Sequence, residues 1–296
     1  MSEFNRIAIV GRPGHEGVAE TCVRLFRFLS GSGLTVITDA TTAGLAVAPD
    51  CEIVEKETLS ADCDLFIVVG GDGSMLKMAK FVVPDDVPVI GINRGKLGFL
   101  TDVLPDELEE QLSAVLTGDY TVEKRFLLDV ACLKNGQRHA LGSALNDVVL
   151  HPGQAAQMIE FELFVDDRFV YSQESDGLIA ATPTGSTAYA LSAGGPIMHP
   201  DLNAIVLVPM YPHSLSSRPV VIDGDSEIKL VVANRTSHFP LVSCDGEVCH
   251  TAQADKEILI TKKQSPLRLI HPLNHTFYQA CRSKLGWGSR LANSDD

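Results

Sequence analysis

The sequence has little of what marks a secreted, membrane-bound or nucleic-acid-binding protein. Its 296 residues carry 24 Lys and Arg against 38 Asp and Glu, a formal net charge of -14. An acidic chain without a basic patch is repelled by nucleic-acid phosphates and by anionic membranes. No apolar run approaches the roughly 20 residues of a membrane span, and the N-terminus lacks the pattern of a signal peptide. We therefore expect neither a nucleic acid nor a membrane as a partner.

Cysteine and histidine patterns typical of disulfides or metals are also missing. The seven cysteines are odd in number and include no Cys-x2-Cys pair, which argues against a disulfide framework. The stretch Cys244-x4-Cys249-His250 has no second ligand pair at a suitable spacing, and the nine histidines form no His-x3-His pair on a helix. These absences predict a reduced, cytoplasmic protein without a structural metal site.

The first 120 residues alternate between strand and helix patterns. Apolar runs at 6–10, 34–37, 65–69 and 87–92 predict strands. Segments 18–29 and 105–116 have the spacing of amphipathic helices. Strands that alternate with helices predict a mostly parallel, Rossmann-like sheet, so we expect an α/β domain over 1–120.

Beyond residue 120 the pattern changes to short, closely spaced strands. One predicted hairpin joins 161–165 to 169–171, and further strands are predicted at 227–233 and 257–261. This succession predicts an all-β, sandwich-like domain over 121–275. The C-terminal segment 276–296 is predicted to return to the first domain.

A glycine-rich turn is the first candidate site. Gly70-Gly-Asp-Gly73 interrupts the most apolar strand just before a predicted helix at 75–80. At such a place, backbone N–H groups and the helix N-terminus favour a bound phosphate. The turn lacks the third glycine of the dinucleotide fingerprint. Asp72 adds a carboxylate that either accepts a proton, bridges a metal ion or is simply a turn residue.

The second candidate is the hydroxyl-rich loop Thr182-Pro-Thr-Gly-Ser-Thr187, which precedes a short helical stretch. Its four hydroxyl groups form either a cradle for phosphate and ribose oxygens or a capped polar loop. Asn146-Asp147 and Asp176-Gly177 stand at predicted strand ends between the two loops. Each pair either binds a ribose diol or an amide, or forms a turn.

Taken in order, these motifs resemble bacterial NAD kinases. The resemblance rests on Gly70–Gly73, Asn93-Arg-Gly-Lys-Leu-Gly-Phe-Leu-Thr101, Asn146-Asp147 and the stretch 176–189, followed by Gly194-Gly-Pro196. It implies an enzyme that transfers the γ-phosphoryl of ATP to the 2′-hydroxyl of the adenosine ribose of NAD. It also implies Mg²⁺ or another divalent cation with ATP, a homo-oligomer, and an active site in the cleft between an α/β and a β-sandwich-like domain.

The resemblance assigns roles to individual residues. Asp72 takes the place of the catalytic aspartate, which orients and deprotonates the hydroxyl, and Gly73 shares its loop. Asn146 and Asp147 correspond to residues that hold the ribose and nicotinamide side of NAD, and Asp176 to one near the nicotinamide amide. The residues that line the family's adenine and ribose pocket correspond here to Thr187, Ala188, Tyr189, Ala190, Leu191 and Ser192. Glu247 corresponds to an additional nucleotide contact. Gln157 and Glu174 correspond to residues that contact the nucleotide from a neighbouring subunit.

Two alternatives stay open on the sequence alone. A lipid kinase would explain the turn at Gly70–Gly73, but not Asn146-Asp147 or the loop from Thr184 to Tyr189. A non-catalytic NAD-binding regulator would bind nucleotide without turnover. The sequence also leaves open the choice between NAD and NADH, for which Glu174 is a candidate, and whether Lys77 or Arg94 contacts the triphosphate.

Overall fold

The computed structural model describes residues 3–45, 51–94, 98–134, 136–153, 157–233, 239–253, 256–273 and 275–287. The chain divides into two compact units. The first combines Met1–Lys124 with Leu267–Asp296, and the second is Arg125–Pro266. Within the described ranges, no helix has the length and apolar character needed to cross a membrane.

The secondary structure is mainly strands. The strands are β1 (Arg6–Gly11), β2 (Thr35–Thr38), β3 (Glu52–Ile53), β4 (Leu65–Gly70), β5 (Val89–Asn93), β6 (Tyr120–Arg125), β7 (Leu128–Lys134), β8 (Gln137–Ala144), β9 (Asp147–His151), β10 (Ile159–Val165), β11 (Arg168–Ser175), β12 (Gly177–Ala181), β13 (Ala204–Met210), β14 (Val220–Asp223), β15 (Ile228–Val232), β16 (Leu241–Cys244), β17 (Glu247–Thr251), β18 (Glu257–Lys262) and β19 (Leu267–Pro272). The helices are α1 (Val18–Gly31), α2 (Ala40–Leu45), α3 (Asp72–Val82), α4 (Leu108–Leu116), α5 (Tyr189–Ser192) and α6 (Phe277–Leu285). Single 3₁₀ turns cover Pro105–Glu107 and Gly185–Thr187.

The first unit is built on a seven-stranded sheet in the order β3-β2-β1-β4-β5-β19-β6. The pairs from β3 to β19 are parallel, which confirms the predicted α/β class. The strand order runs outward in one direction from β1 and in the other from β4. In sheets of this kind, ligands bind at that switch point, outside the carboxyl ends of the strands. The loops that follow β1 and β4 are therefore the expected ligand-binding loops.

The unit boundary differs from the predicted one. The sequence pattern predicts a β domain over 121–275, whereas β19 pairs in parallel with β5, with Leu269 opposite Val89. The first unit also extends to Lys124 and resumes at Leu267. A fully buried strand has the same apolar pattern in either sheet, so the sequence carried no sign of which sheet β19 joins.

The second unit consists of two six-stranded sheets, β11-β10-β15-β18-β7-β8 and β14-β13-β12-β9-β16-β17. Their strands pair antiparallel throughout the described residues, as predicted for a sandwich-like domain. In β12, Leu178 and Ala180 face the core between the sheets. Ile179 and Ala181 face the other side, where Ala190 and other apolar residues cover them. Both faces of β12 are buried, which explains its continuous apolar run.

Candidate active site

The glycine-rich turn lies at the switch point of the parallel sheet. β4 ends at Gly70, Gly71 is extended (φ -108°), and α3 begins with Asp72, three residues earlier than the sequence predicted. Gly70 is needed for a close approach, because a Cβ there would lie 2.3 Å from Ser74 Oγ. Asp72 is half-buried and Gly73 is exposed. The turn therefore presents a carboxylate at a helix N-terminus.

The Asp72 carboxylate is held by the segment 98–101. Oδ2 accepts the Phe99 N–H at 3.0 Å, and Oδ1 accepts the Leu100 N–H at 3.0 Å and the Thr101 hydroxyl at 3.2 Å. A Cβ on Gly98 would lie 2.1 Å from Oδ1, so only glycine allows this approach. A carboxylate offers about four acceptor positions. At least one therefore remains for a substrate hydroxyl.

Two arginines follow the strands on either side of β4, at the same edge of the sheet. The N–H of Arg12, after β1, donates to Val69 O at 3.2 Å, and that of Arg94, after β5, donates to Gly70 O at 3.3 Å. The Arg94 guanidinium lies against Gly17 (φ +74°), where a Cβ would lie 1.4 Å from Nη2. Among the described residues, its buried Nε has no hydrogen-bond partner. These arginines supply positive charge beside the turn at Gly70–Gly73.

The other basic candidate is less well placed. Lys77 lies on the exposed face of α3, about 7.5 Å along the helix axis from Asp72. Residues 95–97 of the motif that runs from Asn93 to Thr101 lie outside the described residues.

In the second unit, the backbone of Asn146-Asp147 is organised by Asp245. Asp245 Oδ1 accepts the N–H groups of Asn146 (2.8 Å) and Asp147 (3.2 Å), and Oδ2 accepts that of Leu145 (2.9 Å). Asp245 (φ +51°) and Gly246 (φ +81°) form the two-residue turn between β16 and β17. Two left-handed residues in a two-residue loop are typical of the type I′ hairpin.

Asp147 is buried, with 5% of its surface exposed. Burial raises its pKa to about 7, and the negative charge of Asp245 adds to the effect. Burial disfavours the charged form of a carboxyl group, and so does a like charge nearby. Near neutral pH the Asp147 carboxyl group therefore both donates and accepts hydrogen bonds, as a ribose diol requires.

The loop that follows β12 uses its hydroxyl groups internally. The Thr182 hydroxyl donates to Leu145 O and the Ser186 hydroxyl to Pro183 O, both at 2.6 Å. Thr184 Oγ1 accepts from Arg125 Nη1 at 3.2 Å. All three hydroxyl-bearing residues are buried. The structure thus favours the capped polar loop over the four-hydroxyl cradle. Of the four hydroxyl-bearing residues, Thr187 is the one that is half-buried rather than buried.

Gly185 brings this loop against Asn146. A Cβ on Gly185 would lie 2.0 Å from Asn146 O, and Thr182 N donates to the same oxygen at 2.9 Å. The start of the loop and Asn146-Asp147 are therefore packed together at one end of β12.

Asp176 lies at the opposite end of β12. Ala181 pairs with Asp147, whereas Gly177 pairs with Met210, and Asp176 N donates to Met210 O at 2.9 Å. Four residues of strand separate these ends by about 13 Å. Asp176 and Asn146-Asp147 therefore lie at opposite ends of one strand.

The segment 187–192 spans the distance between these ends. α5 packs Ala190 onto the sheet face that carries Ile179, and Tyr189 is exposed. A cavity of about 270 Å³ lies next to the end of α5, beside Met210. It is lined by Ser192, Ala193, Pro209, Met210, Tyr211, Pro212, Ser217, Arg218 and Pro219. The polar groups follow one elongated surface, as an extended ligand such as a dinucleotide requires.

The remaining expected contacts lie on hairpins. Glu174 is exposed on β11, opposite Glu160 of β10, and Gln157 is half-buried just before β10. Glu247 is exposed at the start of β17. Glu174 and Gln157 therefore belong to the hairpin of β10 and β11, and Glu247 belongs to the hairpin of β16 and β17.

Asp245 and Arg12 were not among the site residues predicted from the sequence, and Gly98 was predicted only as part of the motif that runs from Asn93 to Thr101. The Asp-Gly step at 245–246 between two strands was a recognisable hairpin signal, but not a sign of which backbone its carboxylate would bind. Arg12 became a candidate only when the sheet order placed β1 beside β4.

A carboxylate at the switch point of a parallel sheet, with arginines beside it, suits the transfer of a phosphoryl group from a nucleotide. These features of the fold and the site are those of a nucleotide-dependent phosphotransferase. The family models agree in both halves: residues 7–120 match the ATP-NAD kinase N-terminal domain and residues 145–272 match the ATP-NAD kinase C-terminal domain. The chain belongs to the ATP-NAD kinase family.

Individual relatives support this assignment over the full length. The chain is 54% identical over 296 residues to a NAD kinase of Pseudomonas putida and 55% identical over 295 residues to that of Ectopseudomonas mendocina, with 100% of each chain covered. The crystal structure of yeast NADH kinase complexed with NADH has a TM-score of 0.87 at 25% identity, covering 98% of this chain and 90% of that one. An Archaeoglobus fulgidus NAD kinase in complex with ATP has a TM-score of 0.70 at 27% identity, covering 95% and 97%.

Proposed function

We propose that this protein transfers the γ-phosphoryl group of ATP to the 2′-hydroxyl of the adenosine ribose of NAD, giving NADP. The observation that carries the proposal is the Asp72 carboxylate, fixed at the switch point with an acceptor position to spare. The relatives solved with NADH and with ATP support nucleotides as both substrates.

Asp72 orients the acceptor hydroxyl and takes its proton late in the reaction. An ordinary carboxylate, with a reference pKa near 3.9, is far too weak a base to ionise a sugar hydroxyl beforehand. Phosphoryl transfer requires alignment and charge neutralisation more than covalent catalysis. The three hydrogen bonds from 98–101 keep the carboxylate in one orientation, which serves that alignment.

The donor ATP enters as its complex with Mg²⁺ or another divalent cation, which neutralises charge that develops on the phosphates. Arg94 and Arg12 are the protein cations best placed for the triphosphate, because both follow strands next to β4. Backbone N–H groups at Gly73 and the start of α3 add to this field.

The acceptor NAD binds to groups of the second unit. Asn146 and Asp147 hold a ribose, Asp176 holds a group about 13 Å further along β12, and the surface between them consists of Thr187, Ala188, Tyr189, Ala190, Leu191 and Ser192. Glu247 is a further contact, and Gln157 and Glu174 reach the nucleotide of a neighbouring subunit in a homo-oligomer.

The compartment proposed for this reaction is the reducing cytoplasm. All seven cysteines lie in the described part of the chain, and none forms a disulfide.

The decisive experiment compares Asp72→Asn with the wild-type protein in an NADP-forming assay with NAD, ATP and Mg²⁺. We expect turnover to fall by about 10²–10⁴-fold, the range for loss of a general base, while calorimetry still detects NAD binding. Asp106→Asn is the matched control, because Asp106 is an exposed carboxylate in the first turn of another helical segment. Unchanged turnover in Asp72→Asn would remove the proposed role.

The same assay tests the two alternatives. Wild-type protein that binds NAD but makes no NADP would indicate a regulator. Protein that neither binds NAD nor makes NADP, and instead phosphorylates a lipid, would indicate the lipid kinase.

A further inference from the structure

A buried cluster of two histidines and two carboxylates lies in the first unit, outside the residues assigned to the reaction. His271 Nδ1 and His275 Nδ1 each lie 2.9 Å from Asp102 Oδ2, and His271 Nε2 lies 2.9 Å from Glu123 Oε2. The side chains of His271 and Asp102 are 2% and 6% exposed. Three elements meet here: the segment after Thr101, the end of β19, and β6.

We infer that Asp102, His271 and His275 form a binding site for a Zn²⁺-like divalent transition-metal ion. Their ligand atoms all lie within 4.8 Å of one another. In a tetrahedral zinc site with bonds of about 2.1 Å, neighbouring ligand atoms are about 3.4 Å apart. The two 2.9 Å separations would thus open by about 0.5 Å around an ion, a side-chain adjustment. Water completes the coordination.

The donor atoms of the cluster converge on one point. His271 Nδ1 and His275 Nδ1 approach the same oxygen, Asp102 Oδ2, and the two rings stack at 4.0 Å with an angle of 10° between their planes. Imidazole nitrogens and a carboxylate oxygen placed in this way form a ligand set that is typical of Zn²⁺.

With an ion bound, both imidazoles are neutral ligands. Both Nδ1 atoms become ligands, and His271 keeps its one proton on Nε2, which it donates to Glu123. A metal-bound histidine that donates its other N–H to a carboxylate is the usual arrangement around protein metal ions.

A second observation points to a ligand at the same place. Among the described residues, Asp102 Oδ1 is buried and has no hydrogen-bond partner, although the side chain is 94% buried. A carboxylate oxygen left in this state is costly unless a cation lies beside it. The His275 side chain, 15% exposed, leaves a route of entry from solvent.

The ligand chemistry distinguishes this ion from the one that accompanies ATP. Imidazole suits Zn²⁺, Cu²⁺, Ni²⁺ and iron, whereas Mg²⁺ prefers oxygen ligands. The pair His271-x3-His275 was not identified from the sequence because Pro272 lies between the two and ends β19, so the spacing does not fall on a helix. The expectation of no structural metal rested on the cysteine spacing and on the absence of a His-x3-His pair on a helix, and neither pattern covers this cluster.

The site has a consequence for the Asp72 turn. Asp102 directly follows Phe99, Leu100 and Thr101, which bind the Asp72 carboxylate. An ion at Asp102 would fasten this segment to β19, the neighbour of β5 in the sheet. Residues of the cluster are thus positioning residues for the turn, whatever the reaction.

The test is a titration of the full-length, chelator-treated protein with Co²⁺, followed by the visible d–d absorption. We expect one Co²⁺ per chain with the strong absorption of four- or five-coordinate cobalt, displaced by Zn²⁺ and not by Mg²⁺. The His275→Gln variant should bind at least 100-fold more weakly, and Glu123→Gln about 10–100-fold more weakly, as for other residues that orient a metal ligand. His139→Gln is the control, since His139 is exposed on β8.

Folding and binding are separated by a second measurement. In EDTA the melting temperatures of wild type and His275→Gln should be similar, and Zn²⁺ should raise that of the wild type alone. Zn²⁺ should also slow hydrogen exchange at the Phe99 and Leu100 amides. Weak, octahedral-type absorption in the wild type, or Co²⁺ binding by His275→Gln with wild-type affinity, would overturn the inference. Neither readout depends on NAD kinase activity.

Discussion

Replacement of Asp245 should damage the second unit far more than its position in an exposed turn suggests. Its carboxylate accepts three backbone N–H groups, from Leu145, Asn146 and Asp147. A hydrogen bond to a charged group contributes about 1.5–3 kcal/mol to the free energy of unfolding. In Asp245→Ala some of these donors gain water, so we expect a loss of about 3–5 kcal/mol rather than the full sum.

The Asn variant separates charge from shape. Asn accepts left-handed backbone (φ +51°) readily, whereas Ala does not. Its amide oxygen can replace Oδ1 for two of the three donors, so Asp245→Asn should lose only about 1–2 kcal/mol. It should also lower the pKa of Asp147, because one of the two causes of the raised value is the charge of Asp245.

Equilibrium urea unfolding followed by circular dichroism measures the free-energy differences, and NMR of the Asp147 carboxyl carbon measures the pKa. Asp167→Ala is the matched control: Asp167 is also in a two-residue hairpin turn at φ +60°, but its carboxylate is exposed and, among the described residues, is bound by the half-buried Lys229 amine at 2.7 Å. Such surface pairs contribute about 0–1 kcal/mol. If Asp245→Ala lost no more stability than Asp167→Ala, the role assigned to the Asp245 carboxylate would be wrong.

Two more predictions concern Gly98 and the protonation of Asp147. Gly98→Ala would place a Cβ 2.1 Å from Asp72 Oδ1, so the rate of NADP formation should fall at least tenfold. The control is Gly31→Ala, whose new Cβ has no atom within 4 Å and which should leave the rate unchanged. The raised pKa of Asp147, about 7 when folded against 3.8 as a reference, means that the folded state retains a proton that the unfolded state loses. The contribution of Asp147 to the free energy of unfolding is therefore largest below about pH 4. It falls as the pH rises to about 7, by roughly 4 kcal/mol at most. Urea unfolding at a series of pH values should show this slope in the wild type and a flatter one in Asp147→Asn; equal slopes would contradict the assignment.

Local patterns were sufficient for the class of each half of the chain. The strand at 65–69 and the helix that follows it were predictable because a run of apolar residues ends in Gly70-Gly-Asp-Gly73, and each of these features is local. The start of α3 was placed too late, since glycines at its first turn weaken the helical pattern. The membership of β19 in the parallel sheet depends on pairing over 180 residues, which no local pattern encodes.

The candidate site shows the same division between local and long-range information. Asp72 and Asn146-Asp147 could be chosen from the sequence because the resemblance to a family marks them. Their hydrogen-bond partners could not be predicted, because the segment 98–101, although part of a quoted motif, and Asp245 reach them through tertiary structure alone. Residues that position a site by backbone hydrogen bonds carry no sequence signal beyond their own turn chemistry.

The carboxylates of Asp72 and Asp245 act in the same way in this acidic protein. Each binds successive backbone N–H groups of a distant segment, 99–100 for Asp72 and 145–147 for Asp245. Rows of N–H groups of this kind also attract phosphates. With an internal carboxylate already bound, these N–H groups are not available to a ligand, so the loops are rigid before substrate arrives. The positive charge for a triphosphate must then come from elsewhere, and within the first unit Arg12 and Arg94 lie at the same sheet edge as the Asp72 turn. At Asp72 and Asp245 the negative charge is engaged in holding the backbone, and Arg12 and Arg94 add positive charge at this edge of the sheet, so a net charge of -14 does not prevent the edge from binding a polyanion.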